Sequence, residues 1–534
     1  MRRCGTVPQL SSIEQIGRLI APGSGLKQTV LVQNHDPTDG ESSNGSIITP
    51  IEDKVVRIYP SASAVLNAYY IFIHPYFAIL PPPFTPLELD YPTLWHSGKP
   101  PKASDSFPFN STSPLCLAIS AILALLPPQE QGQKDAAVSL TARRSLAQHF
   151  ARAAMERIEE DAEVINATTV YSSQSPVLQW KIERVPFHPL TPVELESTLA
   201  LLVLTNYEHT QRGNLLNMAS RAGQALITAK SLSLHRLTDD ADEFSEARRR
   251  TWWMTVAISM DDDNTITTPF PQVEADPEVW AIFIEALRVS VASVHFIASY
   301  RMAQADQPNI DEKLNNLDKW LLQTTMKAGT APSVASPLGV DSYEEYTATV
   351  MRRLSRIRLA SARIRIHRYQ AFADIPLFLS NHCDLAEAKN FEYLNDRDGN
   401  GMRNLNTALT CEEAAAICVE SALAAARQLR SLQVADPLNA GKMLPRTMPT
   451  CSCCAMQAAY TMLMQIFKLR AAGMESSTTT RTAIATERLI EELRHGIDSV
   501  TGALKDFAVS FEAIDGMRAE IVAATHVAFQ NDIL

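Results

Sequence analysis

Three cysteines of the C-terminal half, Cys451, Cys453 and Cys454, lie within one Cys-Ser-Cys-Cys sequence. Thiolates are strong zinc ligands, and a structural zinc site holds the ion with four ligands in a tetrahedron. Here apolar helical sequence follows the cysteines, and His382 and Cys383 lie far away along the chain. A cysteine in an apolar helix behaves as a small hydrophobic residue. We therefore expect buried thiols at this position and no metal site.

A second group with possible metal ligands has oxygen donors. Asp396, Asp398 and Asn400, followed by Gly401, match the first half of an EF-hand calcium loop. The last position of that loop should be a bidentate glutamate, and it is Thr407 in this sequence. We therefore expect a polar loop between helices that binds no calcium.

Motifs that would indicate an enzyme do not occur. The sequence contains no Gly-x-Ser-x-Gly elbow, no P-loop and no His-Glu-x-x-His zinc motif, and its 12 histidines are scattered. We predict that the chain is not an enzyme, with no catalytic residue, no metal ligand and no cofactor of its own. The alternative is an all-α small-molecule-binding protein or enzyme, which would need a set of polar residues in a pocket.

Composition favours helices. The 534 residues are 46% hydrophobic and 20% charged, glycine is sparse at 19 residues, and helix-forming residues recur. This composition predicts an all-α fold. The net charge of −11 argues against a broad nucleic-acid-binding surface, since such surfaces are basic.

Signals for export or membrane insertion are not evident. The N-terminal residues include two arginines but no apolar segment, so we expect no signal peptide. The apolar run from Leu115 to Leu126 has the length of a buried helix rather than a membrane span. We expect an intracellular protein without a membrane partner.

The elements that would position functional residues are clearest between Leu190 and Met260. Thr191 is expected to cap a first, buried helix through a Thr-x-x-Glu capping box. Gly213 is expected to end this helix, and Asn214 to start a second helix that is rich in alanine. A third helix, which carries an arginine triplet and two tryptophans, begins near Phe244.

This arrangement resembles the regulatory domain, or middle homology region, of fungal zinc-cluster (Zn2Cys6) transcription factors. The resemblance rests on a Gly-Asn pair, a Leu-x-Leu-His-Arg sequence, an Arg-Arg-Arg-x-Trp-Trp helix and a later His-Arg pair. The residues that carry it are Gly213, Asn214, Leu234, His235, Arg236, Arg248, Arg249, Arg250, Trp252, Trp253, His367 and Arg368.

The resemblance implies a nuclear regulator of RNA polymerase II transcription in a fungus. It implies as partners transcriptional co-regulators or a DNA-binding protein, and it allows a homodimer and a small-molecule effector. Residues 1–60 contain only Cys4, so the zinc cluster is absent and zinc is expected only if a separate N-terminal cluster exists. Direct DNA binding by this chain is therefore not expected.

The same resemblance divides the chain. We predict a flexible tail over residues 1–60, a middle homology domain over 61–300, a linker with a short helix over 301–342, and a helical C-terminal region over 343–534. After Met260 the Gly-Arg-Pro turn typical of the family is missing, which indicates a deletion or a mis-joined exon. A decayed, non-functional relative is thus a further alternative.

Two local predictions concern charged and aromatic side chains. Acidic residues flank Arg248–Arg250, so the triplet should form a salt-bridged face rather than a contact to DNA phosphates. Trp252 and Trp253 should lie in the core. A long amphipathic helix from Ser139 to about Ala162 should expose Arg143 on its polar face.

Overall fold

The all-α prediction is confirmed by the computed structural model. It describes residues 55–96, 111–127, 136–171, 182–238, 242–259, 266–302, 310–330, 342–372, 409–433, 436, 438, 443–475 and 480–529. In these ranges the chain forms thirteen α-helices and one two-stranded antiparallel sheet. The EF-hand-like residues 396–407 lie outside them, as do residues 1–54 of the predicted tail.

The N-terminal elements surround a strongly apolar helix. In chain order they are β1 (Val55–Ile58), α1 (Ala62–Phe72), β2 (Thr93–His96), α2 (Pro114–Leu125), α3 (Ala136–Tyr171), α4 (Val193–Thr210), α5 (Leu215–Ser231) and α6 (Ser245–Ser259). All residues of α2 are buried, and this helix packs against α1, α3 and α4. The apolar run from Leu115 to Leu126 is thus a core helix.

The C-terminal elements are arranged around α9. They are α7 (Val279–Met302), α8 (Ile310–Gly329), α9 (Ser342–Ala371), α10 (Cys411–Arg430), α11 (Ser452–Glu475), α12 (Thr480–Ala508) and α13 (Glu512–Phe529). Helix α9 packs against α7, α8, α10 and α11, and α13 returns to contact α4. One apolar core is continuous from β1 to α13. The predicted division into a domain over residues 61–300 and a C-terminal region over residues 343–534 stays a prediction.

Helix starts follow local sequence in three places. The side chains of Ser61, Ser113 and Asn214 accept hydrogen bonds from backbone N–H groups of the first turns of α1, α2 and α5, and α5 starts after Asn214 as predicted. The prediction for Thr191 is wrong. Helix α4 begins at Val193 without a side-chain cap, because the Thr191 hydroxyl lies 3.3 Å from the Nδ1 atom of His188 instead.

The end of the predicted tail is structured. Residues Val55–Ile58 form β1, which pairs with Thr93–His96 in the proline-rich segment that was predicted to be a loop. Arg57 is buried and its ion pair with Asp90 measures 2.7 Å. Four-residue strands are too short to show an alternating pattern in the sequence, so this ribbon was not predicted.

Helix α3 also corrects a prediction. Leu146, Phe150 and Ile158 are buried as expected, but so is Arg143, which the amphipathic pattern placed on the exposed face. Its guanidinium donates to the carbonyl oxygens of Leu125 and Val509. Because those carbonyls belong to distant segments, helical periodicity alone could not indicate them.

Helix α7 contains a segment, Val279–Ser299, that is long and apolar enough to cross a membrane by length and composition. No other helix in the described ranges meets that test. In this structure Trp280 and Phe283 lie in the main core, and Glu285 pairs with Lys327 of α8. The predicted short helix of the linker is longer than expected, since α8 has 20 residues, and it covers α7 from one side.

Candidate functional site

The third arginine of the triplet lies inside the protein. The side chain of Arg250 is fully buried, and its Nε donates to Glu246 one helical turn earlier at 2.7 Å. One terminal nitrogen donates to the carbonyl oxygen of Leu80 at 3.0 Å, and the other donates to Glu344 at 3.2 Å. Since Glu344 lies in the first turn of α9, a single guanidinium connects α6, the segment after α1 and the central helix of the C-terminal part.

A histidine and a tyrosine complete the group. The Nε2 atom of His74 lies 3.1 Å from Glu344, and its Nδ1 atom lies 3.2 Å from the hydroxyl of Tyr69. That hydroxyl donates to the carbonyl of Phe77 and accepts from nearby backbone N–H groups. We call Tyr69, His74, Arg250 and Glu344 the buried polar cluster.

The charges of the cluster follow from its surroundings. Burial alone would raise the pKa of Glu344, but Arg250 and His74 outweigh it and lower the pKa to about 2. Burial lowers the pKa of His74, and the contact with Glu344 only partly offsets this shift. Near neutral pH the cluster therefore contains an ionised Arg250–Glu344 pair beside the ring of His74. Removal of one partner from such a buried ion pair strongly destabilises the fold, because the other charge is left buried without compensation.

A second histidine continues the cluster toward α4. The Nδ1 atom of His188 accepts from the backbone N–H of Leu190 at 3.1 Å, and its Nε2 atom lies 3.0 Å from the hydroxyl of Tyr70. Tyr70 donates its own proton to the carbonyl of Pro81, so Nε2 of His188 carries a hydrogen and Nδ1 does not. This pattern fits a neutral ring, and burial lowers the pKa of His188 to about 4.

The free energy of unfolding should therefore fall as the pH decreases from about 6.5 toward 4. Below about 6.5 the unfolded chain binds a proton at His188, whereas the folded chain does so only near 4. The contribution that is lost amounts to about 3 kcal/mol. We expect His188→Gln to remove this part of the pH dependence of the urea midpoint, while His495→Gln, at an exposed position of α12, retains it. An unchanged pH dependence in His188→Gln would contradict the neutral assignment.

The other two arginines of the triplet have different environments. Arg248 forms a half-exposed ion pair with Asp242, which confirms the predicted local salt bridge. Arg249 is 9% exposed. The prediction of one salt-bridged face is thus right for Arg248 and for the contact of Arg250 with Glu246. It is incomplete for Arg250, which also pairs with Glu344, 94 residues away in the chain.

The tryptophan pair lies in the core, as predicted. Trp252 is fully buried, with its ring 5.7 Å from that of His235. Trp253 stacks on Phe270 at 4.3 Å and donates its indole N–H to the carbonyl of Pro269 at 2.8 Å. Residues 266–272, which follow the proposed deletion, therefore pack against α6.

The remaining motif residues stabilise turns. Gly213 has a φ of +60°, which glycine adopts without strain, and the side chain of Asn214 caps α5. Helix α4 ends at Thr210, slightly before the predicted stop. Leu234, His235 and Arg236 form a short 3-10 turn in which Leu234 is buried and Arg236 is exposed.

The second His-Arg pair lies on α9. His367 is 1% exposed, and its Nε2 atom lies 3.1 Å from Asp318 of α8. Arg368 is equally buried and lies over the ring of Tyr369 at 5.1 Å. His367 therefore attaches α9 to α8, and Arg368 packs within the core against the next residue of its own helix.

Cavities and metal-ligand groups in the described ranges are small. Two clefts each have a volume of about 10 Å³, which is enough for about one water molecule. No group of three His, Cys, Asp or Glu residues in those ranges is arranged to hold a metal ion. The three cysteines do not converge on one point, since the Cys453 sulfur lies 3.8 Å from His209, whereas Cys451 and Cys454 lie against the core.

The buried polar cluster is therefore the feature that is best placed to affect the whole fold. It offers charges and hydrogen bonds across three segments. Sequence reasoning singled out Arg250 but missed His74 and Glu344. The only local signal was an acid in the first turn of a long helix, which is common at helix N-termini.

No family model matches this chain, and the comparisons found no match among curated proteins or among solved structures.

Proposed function

We propose that this chain is the regulatory part of a nuclear regulator of RNA polymerase II transcription in a fungus, of the zinc-cluster type. The residues that carry the sequence resemblance support this proposal, and the all-α fold is consistent with it. In this proposal the chain is not an enzyme, and it reaches DNA through a separate zinc cluster or a DNA-binding partner.

One observation carries the proposal furthest. In the Arg-Arg-Arg-x-Trp-Trp helix, Arg250 points inward and joins α6 to the first turn of α9. An arginine in that position cannot contact DNA phosphates, and the net charge of −11 disfavours a broad DNA interface. It can instead couple the packing of the N-terminal helices to that of the C-terminal helices.

Regulation would then be a shift between two packings of these helices. A co-regulator, a second copy of the chain or a small effector could favour one packing, provided that it binds the two packings with different affinity. The larger the required change in the ratio of the two packings, the larger this difference in affinity must be. The chain's own contribution is the charged contact that must be rearranged in such a shift.

A tethering experiment tests the function. The full chain is fused to an unrelated sequence-specific DNA-binding domain in a fungal host, with a reporter gene downstream of the cognate site. We expect reporter expression to change severalfold relative to the DNA-binding domain alone, and an untethered fluorescent fusion to accumulate in the nucleus. Expression equal to that of the DNA-binding domain alone, together with exclusion from the nucleus, would refute the proposal.

In the same assay, the variant Arg248→Met shows whether the reporter response needs the exposed arginine of the triplet. It removes an arginine from the same triplet while leaving the buried polar cluster intact. We expect it to retain the reporter response of the unaltered chain.

A further inference from the structure

Two thiols meet at the start of α11. The carbonyl of Cys451 accepts the first helical hydrogen bond, from the N–H of Ala455 at 3.0 Å, so Cys451 is the N-cap residue. Cys454 is then the third residue of the helix. Side chains at these two positions face each other, as they do in a capping box. The N-cap and N3 positions therefore place the two thiols side by side, and both are free cysteines.

The surroundings favour a thiolate at one of them. The hydrogen bond from Cys451 lowers the pKa of Cys454, and Ser361, Arg365 and Arg358 of α9 add to this shift. The same contact raises the pKa of Cys451, which acts as the donor. One terminal nitrogen of Arg358 is buried and has no hydrogen-bond partner among the described residues. Helix N-termini also favour negative charge, so both effects act on the Cys454 sulfur.

Small molecules can approach the pair. Cys451 lines one of the two small clefts, together with Tyr76, Leu354 and Phe507, and Cys454 is half-buried. The cleft has a volume of about 10 Å³, which is room for about one water molecule, so a peroxide would reach the pair at the partly exposed Cys454.

We propose that Cys451 and Cys454 form a redox-active dithiol that hydroperoxides oxidise to an intrachain disulfide. The Cys454 thiolate attacks one peroxide oxygen and breaks the O–O bond, which gives a sulfenic acid and, with hydrogen peroxide, a molecule of water after proton uptake. The Cys451 sulfur then attacks the sulfenic sulfur and releases a second water. The two thiols lose two electrons and the peroxide gains them.

The third cysteine provides the contrast. Cys453 lies on the same turn, but its sulfur faces His209 of α4 at 3.8 Å. The proposal therefore assigns the disulfide to Cys451 and Cys454, and leaves Cys453 as a thiol. This assignment does not depend on the proposed role in transcription.

The test uses the purified full chain, treated with hydrogen peroxide in slight molar excess and then alkylated without reduction. Trypsin releases the three cysteines in one peptide, from Thr447 to Lys468. We expect this peptide to have lost two hydrogens and to carry a single alkyl group on Cys453. Reduction of this peptide and alkylation with a second reagent of different mass then identifies the linked pair as the two cysteines that carry the second label.

Variants decide the assignment. Cys453→Ser should still form the disulfide, whereas Cys451→Ser and Cys454→Ser should not. A disulfide that survives in Cys451→Ser, or one that disappears in Cys453→Ser, would overturn the proposal. So would a peptide that carries three alkyl groups after peroxide treatment.

A second measurement does not require any variant to fold. In the reduced chain, limited alkylation near neutral pH should modify Cys454 at least about tenfold faster than Cys418, because the thiolate is the reactive form. Cys418 is fully buried on α10, where burial raises the pKa of its thiol. Equal rates of modification at the two positions would also overturn the proposal.

Discussion

Replacement of Arg250 by methionine is expected to lower the free energy of unfolding by about 3–5 kcal/mol. Methionine fills much of the same space, but it leaves Glu344 buried with His74 as its remaining partner, and it leaves the carbonyl of Leu80 without its donor. An uncompensated buried charge is what makes one-sided removal so costly. Urea denaturation followed by far-ultraviolet circular dichroism would measure the change.

The matched control is Arg248→Met, two residues earlier on the same helix. Arg248 and its partner Asp242 are partly exposed, and exposed ion pairs contribute about 0–1 kcal/mol. If both variants lost the same small amount of stability, the buried polar cluster would not have the role that we assign to it.

Truncation of Trp252 to alanine should destabilise the protein by a similar amount, about 3–5 kcal/mol. The side chain is fully buried in the middle of α6, so its removal leaves a cavity between helices. The indole N–H of Trp252 has no hydrogen-bond partner among the described residues, so the expected loss is one of packing alone. Thermal and urea unfolding of the variant would measure it.

A suitable control is Ile227→Ala on α5, where the side chain is 72% exposed. Surface substitutions usually change stability by less than about 0.5 kcal/mol in either direction. A loss for Trp252→Ala that is no larger than the loss for Ile227→Ala would show that the α6 core is not packed as described.

Local chemistry explains which parts of the fold were predictable. Ser61, Ser113 and Asn214 are followed directly by apolar helical sequence, and their side chains reach only three residues ahead, so the sequence alone indicates the caps. The same rule failed at Thr191, because His188 competes for its hydroxyl. The tryptophan pair was predictable because large aromatic residues in a helical segment seldom lie outside a core.

Tertiary partners explain what was not predictable. Glu344 is 270 residues from His74, and no periodicity relates the two positions. Arg143 and Arg250 look like surface residues in an amphipathic pattern, yet both are buried with backbone carbonyls as acceptors. Long arginine side chains find such acceptors only after the helices have packed. A sequence therefore shows that these arginines are helical, but not that they point inward.

A double-mutant cycle on Arg250 and Glu344 is the most direct test of the central claim, that their ion pair couples the N-terminal helices to α9. Arg250→Met, Glu344→Gln and the double variant are unfolded in urea beside the unaltered chain. We expect the double variant to recover at least about 1.5 kcal/mol of the summed losses, since residues in direct contact are strongly non-additive. Losses that add to within about 0.5 kcal/mol would contradict the coupling.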